Sequence, residues 1–304
     1  MMSNAIESPF HIENRRRQIS EPLYAEIAEL TYKQCGVDLR IGKRELVSAR
    51  LAKKAQEIEC DSIECYYRTV KSDRSGQMLI AMLDALTTNH TAFLRERQHF
   101  DYLAKRASSL FRGRQSLRIW SAAAATGEEV YTLLMVLIEA LQLPFPSAHT
   151  ESCLKVVGTD ISTKALEVAD AGIYCAEKMD PLPLHWQKKY FLRGKASATG
   201  MFRVRPELRR MACFSRLNLI EPIPSHQLYP VIFCRNAMIY FDQETKRRVV
   251  KSLISCLEPK GLLMIGHAES LTGVSNELTY LHPALYQNRE QLSTVPLNKP
   301  GSAA

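Results

Sequence analysis

The sequence predicts an α/β protein in which an all-helical N-terminal domain precedes a doubly wound parallel sheet with a small antiparallel insertion. Three observations predict this fold. Apolar residues recur at helical spacing from Ser20 to about Thr91. Beyond Thr91, short β-rich runs alternate with helical segments, which is typical of a parallel sheet covered by helices. Between about residues 190 and 217, glycines and a basic β-like stretch interrupt the alternation and indicate an antiparallel insertion.

The N-terminal domain is predicted to span residues 20–91 and to contain four helices. Ser20 can cap the first helix, Pro22 suits its first turn, and Gly36 ends it. The other three helices are expected at about 43–58, at 63–70 and from about 76 onward. Residues 1–19 are predicted to form a flexible tail.

The second domain is predicted to span residues 92–290, with the antiparallel insertion at about 190–217. Its strands are expected in four β-rich runs, at 117–123, 154–161, 231–235 and 261–266. The polar residues 291–304 are predicted to form a second flexible tail.

The composition excludes several classes of protein. The chain has 304 residues, of which 46% are hydrophobic and 24% charged, so a disordered protein is excluded. It contains no apolar run of the ~18–20 residues that a membrane helix needs, and no signal-peptide pattern begins it. A cytoplasmic location is therefore expected. The eight cysteines form no C-x-x-C pair, and no metal is expected.

Basic residues cluster in two segments. The net charge is +8, and the segment 188–216 holds nine basic residues against one acid, Glu207. Each cluster is either a solvated face or a surface for an acidic partner, and charge alone does not distinguish protein from nucleic acid. The second cluster, in and before the predicted second helix, consists of Arg40, Lys43, Arg44, Arg50, Lys53 and Lys54.

The end of the first predicted strand suggests a ligand site, because ligands of doubly wound folds bind at the carboxyl ends of strands. The small residues Ala122–Ala125 allow close approach to the backbone, but the glycine fingerprint of dinucleotide sites is missing. Glu128 and Glu129 disfavour a pyrophosphate and favour a cationic or amino-bearing ligand. Alternatively, Thr126 and Glu129 form a capping box that only starts a helix.

Two further residues follow predicted strands. Asp160 ends the second strand, where an acid commonly accepts hydrogen bonds from ribose hydroxyls. Its alternative role is to cap the helix that begins near Ser162. Asn218 follows the basic insertion, and its amide could read an adenine edge, although this signal is weak on its own.

Six stretches resemble, in order, the CheR family of chemotaxis receptor methyltransferases, which use S-adenosylmethionine. The resemblance covers roughly residues 20–288, and the combination of its T-T-N-x-T, S-A-A-x-x-T-G-E-E and C-R-N-x-M-I-Y-F motifs is highly specific. The stretches are Leu86–Arg95, Trp120–Glu129, Gly158–Ile161, Ala171–Tyr174, Phe233–Asp242 and Leu257–Leu263.

The resemblance implies a Rossmann-like class I methyltransferase domain with a small antiparallel β-subdomain, behind an all-helical domain. It implies an enzyme that transfers the methyl group of S-adenosylmethionine to glutamate side chains of methyl-accepting chemotaxis receptors. The products are glutamate methyl esters and S-adenosylhomocysteine, and the reaction serves sensory adaptation. Carried over by motif, the cofactor-binding residues are Asn89, Thr91, Arg95, Glu129, Asp160, Asn218, Leu219, Arg235 and Asn236.

The proposed chemistry requires positioning groups and no general base, because a glutamate with a pKa near ~4.3 is already ionised at pH 7. Arg95 and Tyr240 are the hypothetical catalytic residues that align the carboxylate. The cluster from Arg40 to Lys54 is the candidate surface for docking acidic receptor helices. The basic insertion could hold a receptor tethering peptide by strand addition. Membrane contact is expected only through receptors, and the protein is taken to be a monomer.

The chain departs from the family pattern at three positions, which hold His90, Val130 and Ala268. Two other functions were weighed. A nucleic-acid methyltransferase would fit the basic charge, but the strand end Asn236–Tyr240 lacks the prolines of amino-group methylases, and no cysteine follows a proline. The other alternative is a module that binds cofactor or receptor without catalysis.

Overall fold

The N-terminal part of the chain folds into four helices, as the sequence predicts. The computed structural model describes residues 19–39, 43–223 and 227–289, so most of both predicted tails lies outside the described residues. Gly36 ends the first helix in the left-handed conformation, at φ 72°. Ile19, which was assigned to the flexible tail, is only 1% exposed in the helical core. The helices are α1 (Glu21–Cys35), α2 (Arg44–Glu57), α3 (Ile63–Ser72) and α4 (Gln77–Leu86).

Seven strands of the second domain form one mixed sheet. They are β1 (Leu117–Ser121), β2 (Leu154–Asp160), β6 (Ala212–Arg216), β7 (Tyr229–Cys234), β8 (Leu257–Ile265), β9 (Leu278–His282) and β10 (Leu285–Asn288). Their order is β6-β2-β1-β7-β8-β10-β9. The strands from β6 to β8 pair in parallel, as predicted, whereas β10 is antiparallel to both of its neighbours. Strands β9 and β10 are not among the strands predicted from the sequence.

Helices cover both faces of this sheet. Because neighbouring side chains of a strand point to opposite faces, Val231 and Phe233 of β7 enter one core while Ile232 and Cys234 enter another. The first core includes α5 (Gln98–Phe111) and α6 (Glu128–Ala140), and the second includes α12 (Gln243–Ser255). The shorter helices are α7 (Ala148–Cys153), α8 (Thr163–Ala171), α9 (Ala176–Met179), α10 (Leu184–Tyr190) and α11 (Pro206–Arg209).

The antiparallel subdomain exists, but its predicted range of 190–217 differs from the structure at both ends. It is a three-stranded sheet of β3 (Ile173–Cys175), β4 (Phe191–Arg193) and β5 (Met201–Val204), in the order β3-β5-β4. The first strand therefore lies before the insertion. Residues 213–215, which were assigned to it, belong to β6 at the edge of the main sheet. A β-rich run does not itself specify its partner, because pairing is decided by tertiary contacts.

The two domains meet through polar contacts that bring the helical domain over the strand ends. Thr163 Oγ1 at the start of α8 donates to Asp84 Oδ2 of α4 at 2.9 Å. On the other side, Tyr32 Oη of α1 donates to Asp242 Oδ2 before α12 at 2.6 Å. Within the described ranges, none of the helices combines the length and the apolar character that a membrane crossing requires.

Candidate functional site

A cavity of about 330 Å³ lies between the helical domain and the C-terminal ends of β1, β2 and β7. That volume falls within the range of small-molecule sites. Its walls include all nine residues predicted to bind cofactor and both predicted catalytic residues. They are Asn89, Thr91, Arg95, Glu129, Asp160, Asn218, Leu219, Arg235, Asn236 and Tyr240, of which Arg95 has both predicted roles.

The turn after β1 is held in a conformation that exposes backbone to the cavity. Ala122 donates its N–H to Phe233 O at 2.7 Å, and Ala125 has a φ of 46°. Gly127 has a φ of 91°, and a Cβ there would meet the Ala169 Cβ at 2.7 Å. Only glycine therefore fits the position that starts α6.

Glu129 does not form the capping box that the sequence offered as an alternative. The N-cap of α6 is Gly127, and Thr126 Oγ1 instead donates to Glu128 Oε2 at 2.6 Å. The Glu129 carboxylate turns inward, where Oε1 accepts from Ser121 Oγ at 2.7 Å and Oε2 accepts from Arg235 Nη1 at 2.8 Å. The capping-box interpretation is wrong because this buried guanidinium attracts the carboxylate more strongly than a backbone N–H does.

Arg235 is held between two carboxylates. Its side chain is 3% exposed, its Nη2 lies 3.1 Å from Glu96 Oε2, and its guanidinium stacks over Phe100 at 5.3 Å from the ring centre. Burial opposes ionisation of Glu96, but the charge and hydrogen bond of Arg235 lower its pKa below the usual value. Glu96 and Glu129 therefore balance the charge of the buried Arg235 guanidinium and fix its position at the cavity wall.

Asp160 connects the ends of β1 and β2 and is not the cap of α8. Its Oδ2 accepts from Ala125 N at 2.8 Å and its Oδ1 accepts from Ser162 N at 2.9 Å. The cap is Ser162, whose Oγ accepts from Ala165 N, so the capping alternative for Asp160 is wrong. Burial raises the pKa of Asp160, although these backbone hydrogen bonds partly offset the effect.

The loop after β7 is fastened by Glu269, a residue to which the sequence analysis gave no site role. Glu269 Oε2 accepts from Gly266 N at 2.6 Å and from Asn236 N at 3.0 Å, and Oε1 accepts from Ile239 N at 3.1 Å. These bonds hold Asn236 at a φ of 59° on the cavity wall. The available signal was an acid in the loop that follows the apolar end of β8, where carboxyl ends of strands converge.

Tyr240 and Asn218 join the cavity to the helical domain. The Tyr240 carbonyl accepts from Asp38 N at 2.8 Å, and Lys43 Nζ lies 5.1 Å from the centre of its ring. The Asn218 amide donates from Nδ2 to Gln34 O at 2.8 Å and to a neighbouring carboxylate at 2.9 Å. Asn218 is therefore engaged by the protein itself, and the expected contact to adenine is not needed to explain its position.

Comparison with protein families identifies this architecture. The family model described as the CheR methyltransferase SAM-binding domain matches residues 89–284, and the model of the CheR methyltransferase all-alpha domain matches residues 22–87.

The chain belongs to the CheR methyltransferase family.

Curated relatives agree over nearly the whole chain. Chemotaxis protein methyltransferase 2 of Pseudomonas aeruginosa is 36% identical, with 86% of this chain and 91% of that protein covered. The chemotaxis protein methyltransferases of Klebsiella aerogenes and Salmonella typhimurium are 37% and 34% identical. Those alignments cover 86% and 90% of this chain, and 88% and 92% of the relatives. The chain is thus an S-adenosylmethionine-dependent methyltransferase, and the expected fold, enzyme class and cofactor are confirmed.

The linker between the two CheR domains forms one wall of the cavity. Arg50 of α2 donates from Nη1 to Leu86 O at 2.9 Å and from Nη2 to Thr88 Oγ1 at 3.1 Å. Arg95 Nη1 donates to His90 O at 2.8 Å, which closes the linker on itself. His90, one of the departures from the family pattern, is exposed at this wall.

The residues predicted to dock receptors differ in whether their side chains have partners within the protein. Arg40 lies outside the described residues. Arg44 is paired with Glu21 at 2.6 Å, and Lys54 with Glu57 at 2.5 Å. Arg50 holds the linker, and Lys43 lies on the cavity wall. Lys53 is exposed on α2. The structure therefore divides the described part of the docking cluster into two cations on the cavity wall, Lys43 and Arg50, two cations paired with glutamates, Arg44 and Lys54, and the exposed Lys53.

A triad of Glu96, His99 and His267 brings its ligand atoms within 4.8 Å of one another. Burial and the Arg235 charge lower the pKa of His99 to about 4, so its imidazole is neutral at pH 7. No metal is expected from the sequence, and this triad is not among the predicted sites. Arg235 already contacts Glu96 and adds a positive charge, which disfavours a cation here, so we assign no metal to the triad.

Proposed function

We propose that this CheR-family enzyme methylates glutamate side chains of methyl-accepting chemotaxis receptors, from the cytoplasmic side of the membrane. The observation that carries the proposal is the convergence of the predicted cofactor and catalytic residues on one cavity between the two domains. S-Adenosylmethionine supplies the methyl group, as a cationic sulfonium. The relatives' names, chemotaxis protein methyltransferase, support receptors as the class of partner.

The cavity residues suit the charged groups, the ribose hydroxyls and the size of the cofactor. The Glu129 carboxylate, which lines the cavity, can face the cationic ammonium and sulfonium groups of the cofactor. Asp160 lies at the end of β2, where its ionised oxygens can also accept ribose hydroxyls. The turn Ala122–Ala125 provides a backbone surface without bulky side chains. The fit rests on charge and side-chain size together.

Arg95 and Tyr240 are proposed to position the receptor glutamate. Arg95 keeps one guanidinium nitrogen on His90 O, and the rest of its planar fork is available for bidentate contact with a carboxylate. Tyr240 presents its ring beside Lys43, and its hydroxyl can donate to the attacking oxygen. Neither group needs to remove a proton, because the acceptor is already a carboxylate.

Receptor docking is proposed to use Lys43, which precedes α2, and Lys53 of α2. Receptor methylation helices are acidic because their acceptors are glutamates, and Lys43 on the cavity wall and the exposed Lys53 offer positive charge to them. In a Lys53→Glu variant, we expect slower methylation of receptors, an effect that is largest at low salt. Lys251→Glu, an equal charge change on α12, should leave the rate unchanged. Equal rates for both variants at low salt would refute docking through α2.

The β-subdomain is proposed to hold a receptor tethering peptide by strand addition. Its outer strands β3 and β4 are the edges of a three-stranded sheet. Apolar side chains stand exposed on it, with Ile173 at 41% and Leu192 at 42%, and Arg193 adds positive charge. Leu192→Asp should weaken capture of receptor C-terminal peptides without changing methylation of peptides that lack the tether.

The deciding experiment uses methyl-labelled S-adenosylmethionine with receptor-containing membranes, followed by treatment with base. Carboxyl methyl esters hydrolyse to volatile methanol, whereas methylated amines and bases do not. We expect labelled methanol from wild-type reactions and none from reactions without receptor. Label that resists base would refute the glutamate acceptor and favour nucleic acid or an amine. Bound cofactor without any transfer, across several receptors, would favour a binding module.

A further inference from the structure

Two cysteines of the helical domain lie almost within bonding distance. Cys60 follows α2, Cys65 is the third residue of α3, and their Sγ atoms are 2.8 Å apart. A disulfide has an S–S distance of ~2.05 Å, so the two sulfurs would need to approach by less than about 1 Å. None of the contacts described for the catalytic cavity involves either thiol.

The backbone fixes the two cysteines in this arrangement without help from the sulfurs. Cys60 donates its N–H to Ala55 O at 2.9 Å, and this bond closes the end of α2. Ser62 is the N-cap of α3, and its Oγ accepts from Cys65 N at 3.2 Å. Between α2 and α3, Glu59 adopts the left-handed conformation, with a φ of 58°, and the chain turns there. Backbone hydrogen bonds on both sides of the corner therefore hold the two sulfurs close to each other before any covalent bond forms.

The pair is also accessible to small reagents. Cys60 and Cys65 are both half-buried, whereas Cys35, Cys153, Cys234 and Cys256 are buried. Hydroperoxides reach partly exposed thiols, and a neighbouring thiol diverts the first oxidation product into a disulfide. Cys213 is more exposed, on the edge strand β6, and provides an internal comparison for exposure alone.

We propose that Cys60 and Cys65 form a reversible oxidation site, which a hydroperoxide converts into a disulfide joining the end of α2 to the start of α3. With hydrogen peroxide as the oxidant, one thiol loses its proton and its thiolate attacks the peroxide, forming an S–O bond while the O–O bond breaks; the hydroxide that leaves takes up that proton and becomes water. The second thiol then attacks that sulfur, forming the S–S bond while the S–O bond breaks and a second water leaves. The two thiols lose two electrons and two protons in total, and the peroxide is reduced to water.

The cysteine pair lies away from the part of α2 that lines the cavity, so its oxidation should affect stability and not cofactor binding. The cross-link lies beyond the C-terminal end of α2, whereas the residues of α2 that line the cavity, Leu46, Val47 and Arg50, lie in its first half. We expect the disulfide to raise the melting temperature of the protein, because it restricts the unfolded chain. Its affinity for S-adenosylhomocysteine should remain unchanged.

The sequence gives this proposal a direct test by peptide mass. Lys54 and Arg68 are consecutive tryptic sites, so one peptide, residues 55–68, contains Cys60 and Cys65 and no other cysteine. The full chain is reduced, exposed to hydrogen peroxide while folded, alkylated and digested. We expect a peptide lighter by two hydrogen atoms that escapes alkylation, and that regains both alkylation sites after treatment with dithiothreitol.

Matched variants separate the pair from its single thiols. Cys60→Ser and Cys65→Ser should abolish the two-hydrogen loss and the reversible rise in melting temperature, while Cys213→Ser should retain both. The proposal is overturned if the wild-type peptide remains fully alkylated, or if it gains oxygen atoms on one cysteine. A disulfide between two copies of the chain would overturn it as well.

Discussion

The Asp160→Asn variant tests the cofactor site by replacing one carboxylate oxygen with an amide nitrogen. The carboxylate uses one oxygen for Ala125 N–H and the other for Ser162 N–H. An amide has only one acceptor oxygen, so its NH₂ must face one of these donors. The variant also loses the ionised acceptor for a ribose hydroxyl. A hydrogen bond to a charged group contributes ~1.5–3 kcal/mol, so we expect cofactor binding to weaken about 10- to 150-fold.

Two opposed effects determine the folding stability of the variant. In the variant, the amide NH₂ faces a backbone N–H, and these two opposed donors cost roughly 1–3 kcal/mol of folding stability. Burial raises the pKa of Asp160, which means that its ionised form lowers folding stability at pH 7. Removing that charge offsets part of the cost. Calorimetric titration with S-adenosylhomocysteine, combined with a melting curve, measures both effects.

The control is Asp170→Asn, which changes an aspartate of α8 whose side chain is 78% exposed. Its affinity should equal that of the wild type. If Asp160→Asn remained folded and bound S-adenosylhomocysteine within about twofold of the wild type, Asp160 would not contact the cofactor.

Three further predictions concern the reaction, pH and the turn after β1. Arg95→Ala should lose most methyl transfer while remaining folded, and Arg95→Lys should recover only part of it because lysine lacks the bidentate fork; near-normal turnover of Arg95→Ala would contradict its assignment. Burial lowers the pKa of His99 to about 4, so the unfolded chain takes up its proton first as pH falls below about 6.5. His99 should therefore cost roughly 3 kcal/mol of stability between pH 7.5 and pH 4, and urea unfolding of His99→Gln should show a correspondingly shallower pH dependence. Gly127→Ala should destabilise the protein by about 2–4 kcal/mol, because its Cβ would meet Ala169 at 2.7 Å and its φ is 91°. At Gly200 the φ is 85° and an added Cβ would meet no atom within 4 Å, so Gly200→Ala should cost only about 1–2 kcal/mol of folding stability. Equal losses of stability for the two variants in melting experiments would refute the steric clash at Gly127.

The sequence by itself determined the helices of the N-terminal domain and four strands of the main sheet. Helical spacing predicts α1 to α4, and β-rich runs predict β1, β2, β7 and β8, because periodicity is a local property of a strand or helix. In a parallel sheet, strand ends share one edge, so residues after β1, β2 and β7 converge without knowledge of side-chain contacts. This geometry explains why Glu129 and Asp160 could be predicted together, whereas the role of Arg235 is implied by the resemblance to the CheR motif.

The tertiary structure decided which partner each of those residues chooses. The Glu129 carboxylate, which the sequence also allowed as a helix cap, accepts a hydrogen bond from Arg235, and Asp160 accepts hydrogen bonds from two backbone N–H groups. Residues 213–215 joined β2 rather than the antiparallel subdomain, and Cys60 met Cys65 across a helix corner. Such choices depend on competing contacts from segments distant in sequence, whose energies no local pattern contains.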